Sequence, residues 1–239
     1  MNLAVLKCVP RSLYYNLRLF PLSQALRMPV LFGNGVRLYG DWHKGSFVID
    51  DARIRRGMVS LGVNRGSFDL GRERASFIRL SRDAKIIFRG ECGMAMGLKI
   101  DVSRDGVLEV GDGVHLNAGA TLSSNGLVRL GDGVRSGWDI TVIDWDGHDI
   151  LDASDGHVVN RPKEIVIGDH CWLGAKTSVL KGVRLAHHVI IPYGSIITKS
   201  CDTPVAVFGG VPNKVLKTGI VRSDKYDTLS DYVMEDVQA

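Results

Sequence analysis

The sequence predicts an all-β protein wound as a parallel β-helix, a solenoid of triangular coils. Three observations predict it. Ile167, Leu173, Val179, Leu185, Ile191 and Ile197 recur at every sixth position without a miss. Glycine is abundant, at 28 of 239 residues, while aromatic residues are only 7%; this suits tight turns and narrow strands better than a bulky globular core. Turn-forming tetrapeptides, Ser103-Arg104-Asp105-Gly106 and Ser123-Ser124-Asn125-Gly126, separate aliphatic triplets farther upstream.

The period decides the architecture. A helix repeats its apolar face near 3.6 residues and a half-buried strand near 2. Six fits a short strand plus a turn, with one inward aliphatic on each flat side. Three sides close a coil of about eighteen residues, and stacked coils bond edge to edge at roughly 4.8 Å per step. Ile167 then lies under Leu185, Leu173 under Ile191, and Val179 under Ile197. The same register is present in Phe88, Met94 and Ile100, in Val110, Leu116 and Leu122, and in Leu130, Ser136 and Val142, although Ser136 is a poor core residue. Before about residue 85 the spacing is not clean, and less regular coils are expected there.

The ends differ in composition. Residues 1–30 mix leucine, aromatics and arginine at helix-like spacing around a proline, which predicts a helical hairpin or cap, or a segment lying on a membrane surface. The β-helix is expected over 31–220, with an inserted loop at about 144–164. A helical tail is expected over 221–239, where Ser223 or Asp224 serves as N-cap.

Composition excludes several classes. The net charge of +4 is mild, with the bases scattered rather than grouped in a stripe, so nucleic acid is not an expected partner. Cys8, Cys92, Cys171 and Cys201 lie far apart with no CxxC pair, which argues against a disulfide framework or a zinc knuckle. No apolar run reaches the ~18 residues that span a bilayer. The N-terminus lacks an apolar core ending in a small-residue cleavage site. A cytoplasmic protein without a metal is expected.

Residues 165–220 carry the most specific pattern: IGD followed by WLG, then LKGV, GSIITK and GGVPNKV. In this order the elements resemble the closing segment of hexapeptide-repeat acetyltransferases. The opening SLYYNLRLFPLSQALRMPV and the IDWDGHDI stretch most resemble sugar O-acetyltransferases of capsule, exopolysaccharide or lipopolysaccharide synthesis. The resemblance implies a left-handed coil, which the period does not decide. It also implies a homotrimer with active sites between chains, acetyl-CoA as donor and a carbohydrate acceptor. Two departures stand out. Ala186-His187-His188 replaces the family's Gly-Asp-Gly or Gly-Asp-Asn corner, and Ile191-Pro192-Tyr193-Gly194-Ser195 replaces IGAGS, placing a bulky ring on the expected CoA path.

Acetyl transfer to a hydroxyl needs a base, because an alcohol of high pKa attacks a thioester slowly unless its proton leaves as the bond forms. An imidazole titrates in the right range and contributes roughly 10²- to 10⁴-fold. His148 is the candidate: it follows the last regular hexad at Val142 and precedes a long break before Ile165, where loops carry function. The resemblance gives such a histidine the role of general base. Asp144 and Asp146 either orient its ring or are solvated turn residues. His157, in the same loop, is the reserve. Asn117 matches an asparagine of the acceptor or donor site. The resemblance assigns CoA to Trp172, Gly174, Ala175, Ser195, Thr198, Lys199, Lys214 and Lys217. The lysines meet phosphates, and the small residues leave room for the pantetheine chain. Gly209, Gly210 and Pro212 shape a turn.

Other functions fit less well. N-acetylation of an amino nucleotide-sugar would use the same base and donor. Serine acetylation would bring an N-terminal helical domain that is not recognisable here. A zinc hydratase on the same scaffold needs three converging histidines, and His148 and His157 are too far apart for the usual pair. A non-catalytic β-helix would not bind CoA.

Overall fold

The structure, a computed structural model, describes residues 3–50, 54–64 and 74–223. Helix α1 (Leu3–Leu19) and the single turn α2 (Leu22–Ala25) lead into a left-handed parallel β-helix. Each coil contributes one strand to each of three sheets. The first coil holds β1 (Val30–Phe32), β2 (Val36–Gly40) and β3 (Phe47–Ile49); the second holds β4 (Val59–Leu61), β5 (Ser76–Leu80) and β6 (Lys85–Phe88). The third holds β7 (Cys92–Met94), β8 (Lys99–Val102) and β9 (Val107–Val110), and the fourth β10 (Val114–Leu116), β11 (Thr121–Ser124) and β12 (Leu127–Leu130). The fifth holds β13 (Arg135–Ser136), β14 (Thr141–Ile143) and β15 (Ile165–Ile167), and the sixth β16 (Trp172–Leu173), β17 (Ser178–Leu180) and β18 (Arg184–Leu185). Strands β19 (Ile190–Ile191) and β20 (Ile196–Ile197) begin a seventh coil. The hairpin β21 (Ala206–Gly209) and β22 (Lys214–Thr218) closes the stack against β19.

The inferred ladders are realised. Ile167 pairs with Leu185, Leu173 with Ile191 and Val179 with Ile197 in parallel register. Upstream, Phe88 pairs with Val110, Met94 with Leu116 and Ile100 with Leu122. All of these side chains are buried. Burial of each contributes about 1.5–3 kcal/mol, and the columns form one continuous apolar core. Ser136 interrupts a column beneath Leu173, and its Oγ accepts the Asn117 N–H at 3.1 Å.

One expectation is refined and one corrected. Before residue 85 the strands stack in register, β1 on β4 and β2 on β5, while the connection between β4 and β5 is long, so the irregularity there lies between strands and breaks the sequence period. Of the tetrapeptide at 123–126, only Asn125 and Gly126 form the corner; Ser123 and Ser124 belong to β11.

Corners are held by a carboxylate ladder. Asp112, Asp132 and Asp169 accept the backbone N–H groups of Glu91 (2.6 Å), Asp112 (2.8 Å) and Asp132 (2.8 Å) of the preceding coil. At the next corner His187 takes the aspartate's place. His170 and His188, at φ +56° and +55°, occupy left-handed positions held by Gly133 and Gly113 below, and their rings stack at 4.9 Å.

The open edge of β1 is covered by α1. Asn16 Nδ2 donates to Val30 O (2.7 Å) and Asn16 Oδ1 accepts Val30 N–H (3.3 Å), while Ser12 Oγ accepts Phe32 N–H (2.9 Å). These two buried side chains stand in for a neighbouring strand and block edge-to-edge pairing. Leu19, Phe20 and Ala25 join the core. The N-terminal segment is therefore a cap, with α1 running through Pro10. The expected C-terminal helix falls largely on 224–239, outside the described residues.

Candidate active site

The inserted loop leaves the second sheet after β14 and returns at β15. Asp144 closes its base. The carboxylate accepts Asn125 N–H (2.8 Å), Gly126 N–H (2.8 Å) and Ser124 Oγ–H (3.2 Å), while its backbone carbonyl accepts Lys163 N–H (3.0 Å). Burial pushes this carboxyl above its ordinary value, and the three bonds pull in the opposite direction. Asp144 is thus fully engaged with the corner of the coil below and is not an orienting partner of the His148 ring.

Asp146 has different partners. Its Oδ2 accepts from Lys181 Nζ and from Asn160 Nδ2 (2.8 Å), and these bonds hold the carboxyl below its ordinary value. Asn160 Nδ2 also donates to the carbonyl of His148 (2.8 Å), and its Oδ1 accepts Ile150 N–H (2.7 Å). One amide therefore clamps both sides of His148. The ring itself is exposed and takes no hydrogen bond among the described residues. The loop's outer part is a small hairpin bridged between Leu151 and Val158.

Beside the loop lies an open cleft of about 390 Å³ on the outer face of the second sheet. Ser123, Ile143, Leu180 and Lys181 form its floor, and Trp145, Asp146 and Gly147 form one wall. Trp145 Nε1 donates to Ser123 Oγ at 2.9 Å, fixing the indole across the strands. Ser123, Trp145, Asn160 and Lys181 were not singled out by sequence reasoning. Only Ser123, one place after the inward Leu122, carried a signal in the six-residue register; Trp145 and Asn160 lie in the loop outside it, and Lys181 follows the strand β17.

The remaining candidates lie elsewhere on the prism. Asn117, Gly174, Ala175 and Ser195 occupy the corner between the first and second sheets. Asn117 Oδ1 accepts Ala118 N–H, and Ser195 Oγ donates to Pro192 O, both at 2.8 Å. A Cβ on Gly174 would sit 2.6 Å from Ile191 O and 2.6 Å from Tyr193 N, so close stacking of the next coil requires a glycine there. Tyr193 and Trp138 meet edge-to-face at 6.3 Å, two coils apart at this corner. Trp172 projects from the first sheet between Arg135 and Ile190. The Thr198 N–H and hydroxyl both donate to Asn213 Oδ1. Lys199, Lys214 and Lys217 are exposed near the closing hairpin. A single chain does not gather these residues around His148.

The other histidines are placed as turn or face residues. His115 Nδ1 lies 3.1 Å from Gly113 O on the outer face of β10, and His43 contacts Asp41 O and Ser46. His157 is bonded to Asp155 at the hairpin tip (2.5 Å). Together with Asp152 these two form the one cluster of metal-ligand type among the described residues, and it contains a single histidine.

No family model matches the chain. The relatives the chain matches are acetyltransferases, and they include O-acetyltransferases of polysialic acid and of galactosides. The chain is 28% identical over 157 residues to polysialic acid O-acetyltransferase of Escherichia coli O1:K1, covering 65% of this chain and 48% of the relative. It is 31% identical over 99 residues to galactoside O-acetyltransferase of Lactococcus lactis, covering 41% and 47%. The chain thus spans about half the length of the curated relatives it matches. The crystal structure of the polysialic-acid-specific acetyltransferase NeuO shares the fold, with a TM-score of 0.62 at 20% identity over 85% of this chain and 83% of that one.

Proposed function

We propose that the protein transfers an acetyl group from acetyl-CoA to a hydroxyl of a surface polysaccharide or its precursor, by direct transfer with His148 as general base. The observation that carries this reading is the Asn160 clamp. It fixes the backbone of an exposed histidine that follows Gly147, a residue lining an open cleft, on a fold shared with sugar O-acetyltransferases.

In this reaction the acceptor oxygen attacks the thioester carbonyl while its proton passes to the His148 imidazole. The tetrahedral adduct collapses with cleavage of the carbon–sulfur bond, and the departing thiolate takes up the proton. No acyl-enzyme is needed. Trp145, Ser123 and Lys181 give the cleft an apolar wall and polar groups of the kind that orient a sugar. Lys214 and Lys217 are exposed point charges suited to CoA phosphates, and Trp172 borders the pantetheine path.

Because His148 and Trp172 sit on different faces, the reading requires a neighbouring chain to complete each site. A homotrimer is supported by exposed apolar side chains on the last coils and the closing hairpin, including Trp172, Ile196, Val215 and Leu216. Four free, buried cysteines suit a reducing, cytoplasmic setting.

The test is release of free CoA thiol from acetyl-CoA across a panel of sugar acceptors, with wild type and His148→Ala compared at equal oligomeric state. The expected result is acceptor-dependent release that falls about 10²-fold or more in the variant. Full activity in His148→Ala would remove the base from the mechanism.

A further inference from the structure

Helix α1 has two apolar faces, and only one is used. Cys8, Ser12, Asn16 and Leu19 face the first coil and are buried. At about 100° per residue, Leu6, Leu13 and Leu17 fall within about 40° of one another, roughly 125° round the helix from that buried face, and all three are exposed. Leu22 (62% exposed) and Leu26 (61%) prolong the apolar surface beyond the helix. Tyr14, Lys7 and Arg18 line one flank of the stripe and are exposed too.

The charge around this stripe is one-sided. Residues 1–40 contain Lys7, Arg11, Arg18, Arg27 and Arg37 and no aspartate or glutamate. Three of the five contact the protein: Arg11 by the carbonyls of Asn34 and Val36, Arg18 over the Trp42 ring at 5.4 Å, and Arg27 through a 3.4 Å bond to the Ile54 carbonyl. Lys7 and Arg27 remain exposed. A leucine stripe flanked by tyrosine and cations, in a segment without an acid, matches the interfacial layer of an anionic bilayer in both hydropathy and sign. No described helix is long and apolar enough to cross a membrane.

We infer that the outward face of α1, with Leu22 and Leu26, docks the protein on an anionic lipid surface. The leucines enter the headgroup boundary while Lys7 and Arg27 meet lipid phosphates. The capping bonds of Ser12 and Asn16 to β1 keep the helix on the end of the prism, so docking needs no unfolding. This inference does not depend on the acetyl-transfer reading.

The test is co-sedimentation of the full chain with vesicles of phosphatidylcholine alone and of an equal mixture with phosphatidylglycerol. Binding to the mixed vesicles is expected, weakened about tenfold or more by omitting phosphatidylglycerol or by raising salt. The double variant Leu13→Ser, Leu17→Ser should lower binding by at least about tenfold while leaving the circular dichroism unchanged. Lys7→Glu, at an exposed position, should lower it in the same direction. Absence of wild-type binding, or variants that bind as wild type, would overturn the inference. So would leucine variants that change the oligomeric state but not vesicle binding, since the stripe would then face a second copy of the chain.

Discussion

Asn160 Nδ2 lies 2.8 Å from the backbone carbonyl oxygen of His148, although the two are twelve residues apart on opposite limbs of the inserted loop. The same nitrogen reaches Asp146 Oδ2, and the amide oxygen takes the Ile150 N–H. Asn160 therefore fixes the chain before, at and after the candidate base without touching its ring. It is a positioning residue, and its loss should misplace the imidazole without disturbing the β-helix.

Asn160→Ala is accordingly expected to lower kcat about 10- to 100-fold, with a melting temperature close to wild type because the site is exposed. Asn160→Asp should be worse, since a carboxylate cannot donate to the His148 carbonyl and would face Asp146. Steady-state kinetics beside thermal denaturation would check this. Equal loss of activity and stability would mean that the clamp is merely structural.

Asp144 should behave in the opposite way. Its carboxylate satisfies the buried Asn125 N–H, the part-buried Gly126 N–H and the Ser124 hydroxyl at a coil corner. Ser124 keeps its bond to Val107 O, so Asp144→Ala orphans the Asn125 N–H above all, at about 1–3 kcal/mol. A fall of several degrees in melting temperature at fixed protein concentration is expected. Asp144→Asn keeps one acceptor and should lie between. A variant as stable as wild type but inactive would show that the carboxylate serves the chemistry instead.

These contrasts mark what was legible in the sequence. Ile167 through Ile197 announced coil, register and core because every sixth residue must face the same narrow interior. The loop was legible as the break in that period, and His148 as its histidine. The roles of Asp144 and Asp146 were not, because both flank Trp145 in an identical local pattern; only the fold shows one turned under the coil below and the other toward Lys181. Asn160 and Lys181 were missed for the same reason, since their partners are distant in sequence. Gly174 was read as space for a ligand, whereas the coil above it fills that space.

The Asp146–Lys181 pair carries a pH signature. Lys181 and Asn160 depress the Asp146 carboxyl, so its folded value lies below the unfolded one, about 3.9. The stabilisation is present above that unfolded value and is lost as pH falls through the folded value. The pair is partly exposed, so Lys181→Met should cost only about 0.2–1 kcal/mol at neutral pH. Denaturant titrations of both proteins should show this gap closing as the pH drops below about 4. A gap that is constant with pH would mean that Lys181 stabilises the loop through packing of its stem instead.

Gly174 separates packing from binding most sharply. The atoms an added Cβ would strike, Ile191 O and Tyr193 N, are backbone atoms of the adjacent coil and cannot swing aside. Gly174→Ala must therefore push the stacked coils away from each other, at about 1–3 kcal/mol. Gly156→Ala is the comparison: at φ +75° it bears the cost of a left-handed backbone that Gly174 does not, but nothing lies within 4 Å of its Cβ. Thermal denaturation should show the larger loss for Gly174→Ala, together with a raised KM for acetyl-CoA as the corner shifts. If Gly174→Ala instead kept the wild-type melting temperature and raised KM alone, the glycine would belong to the donor groove, and the close approach of the coils would have to be relieved without cost.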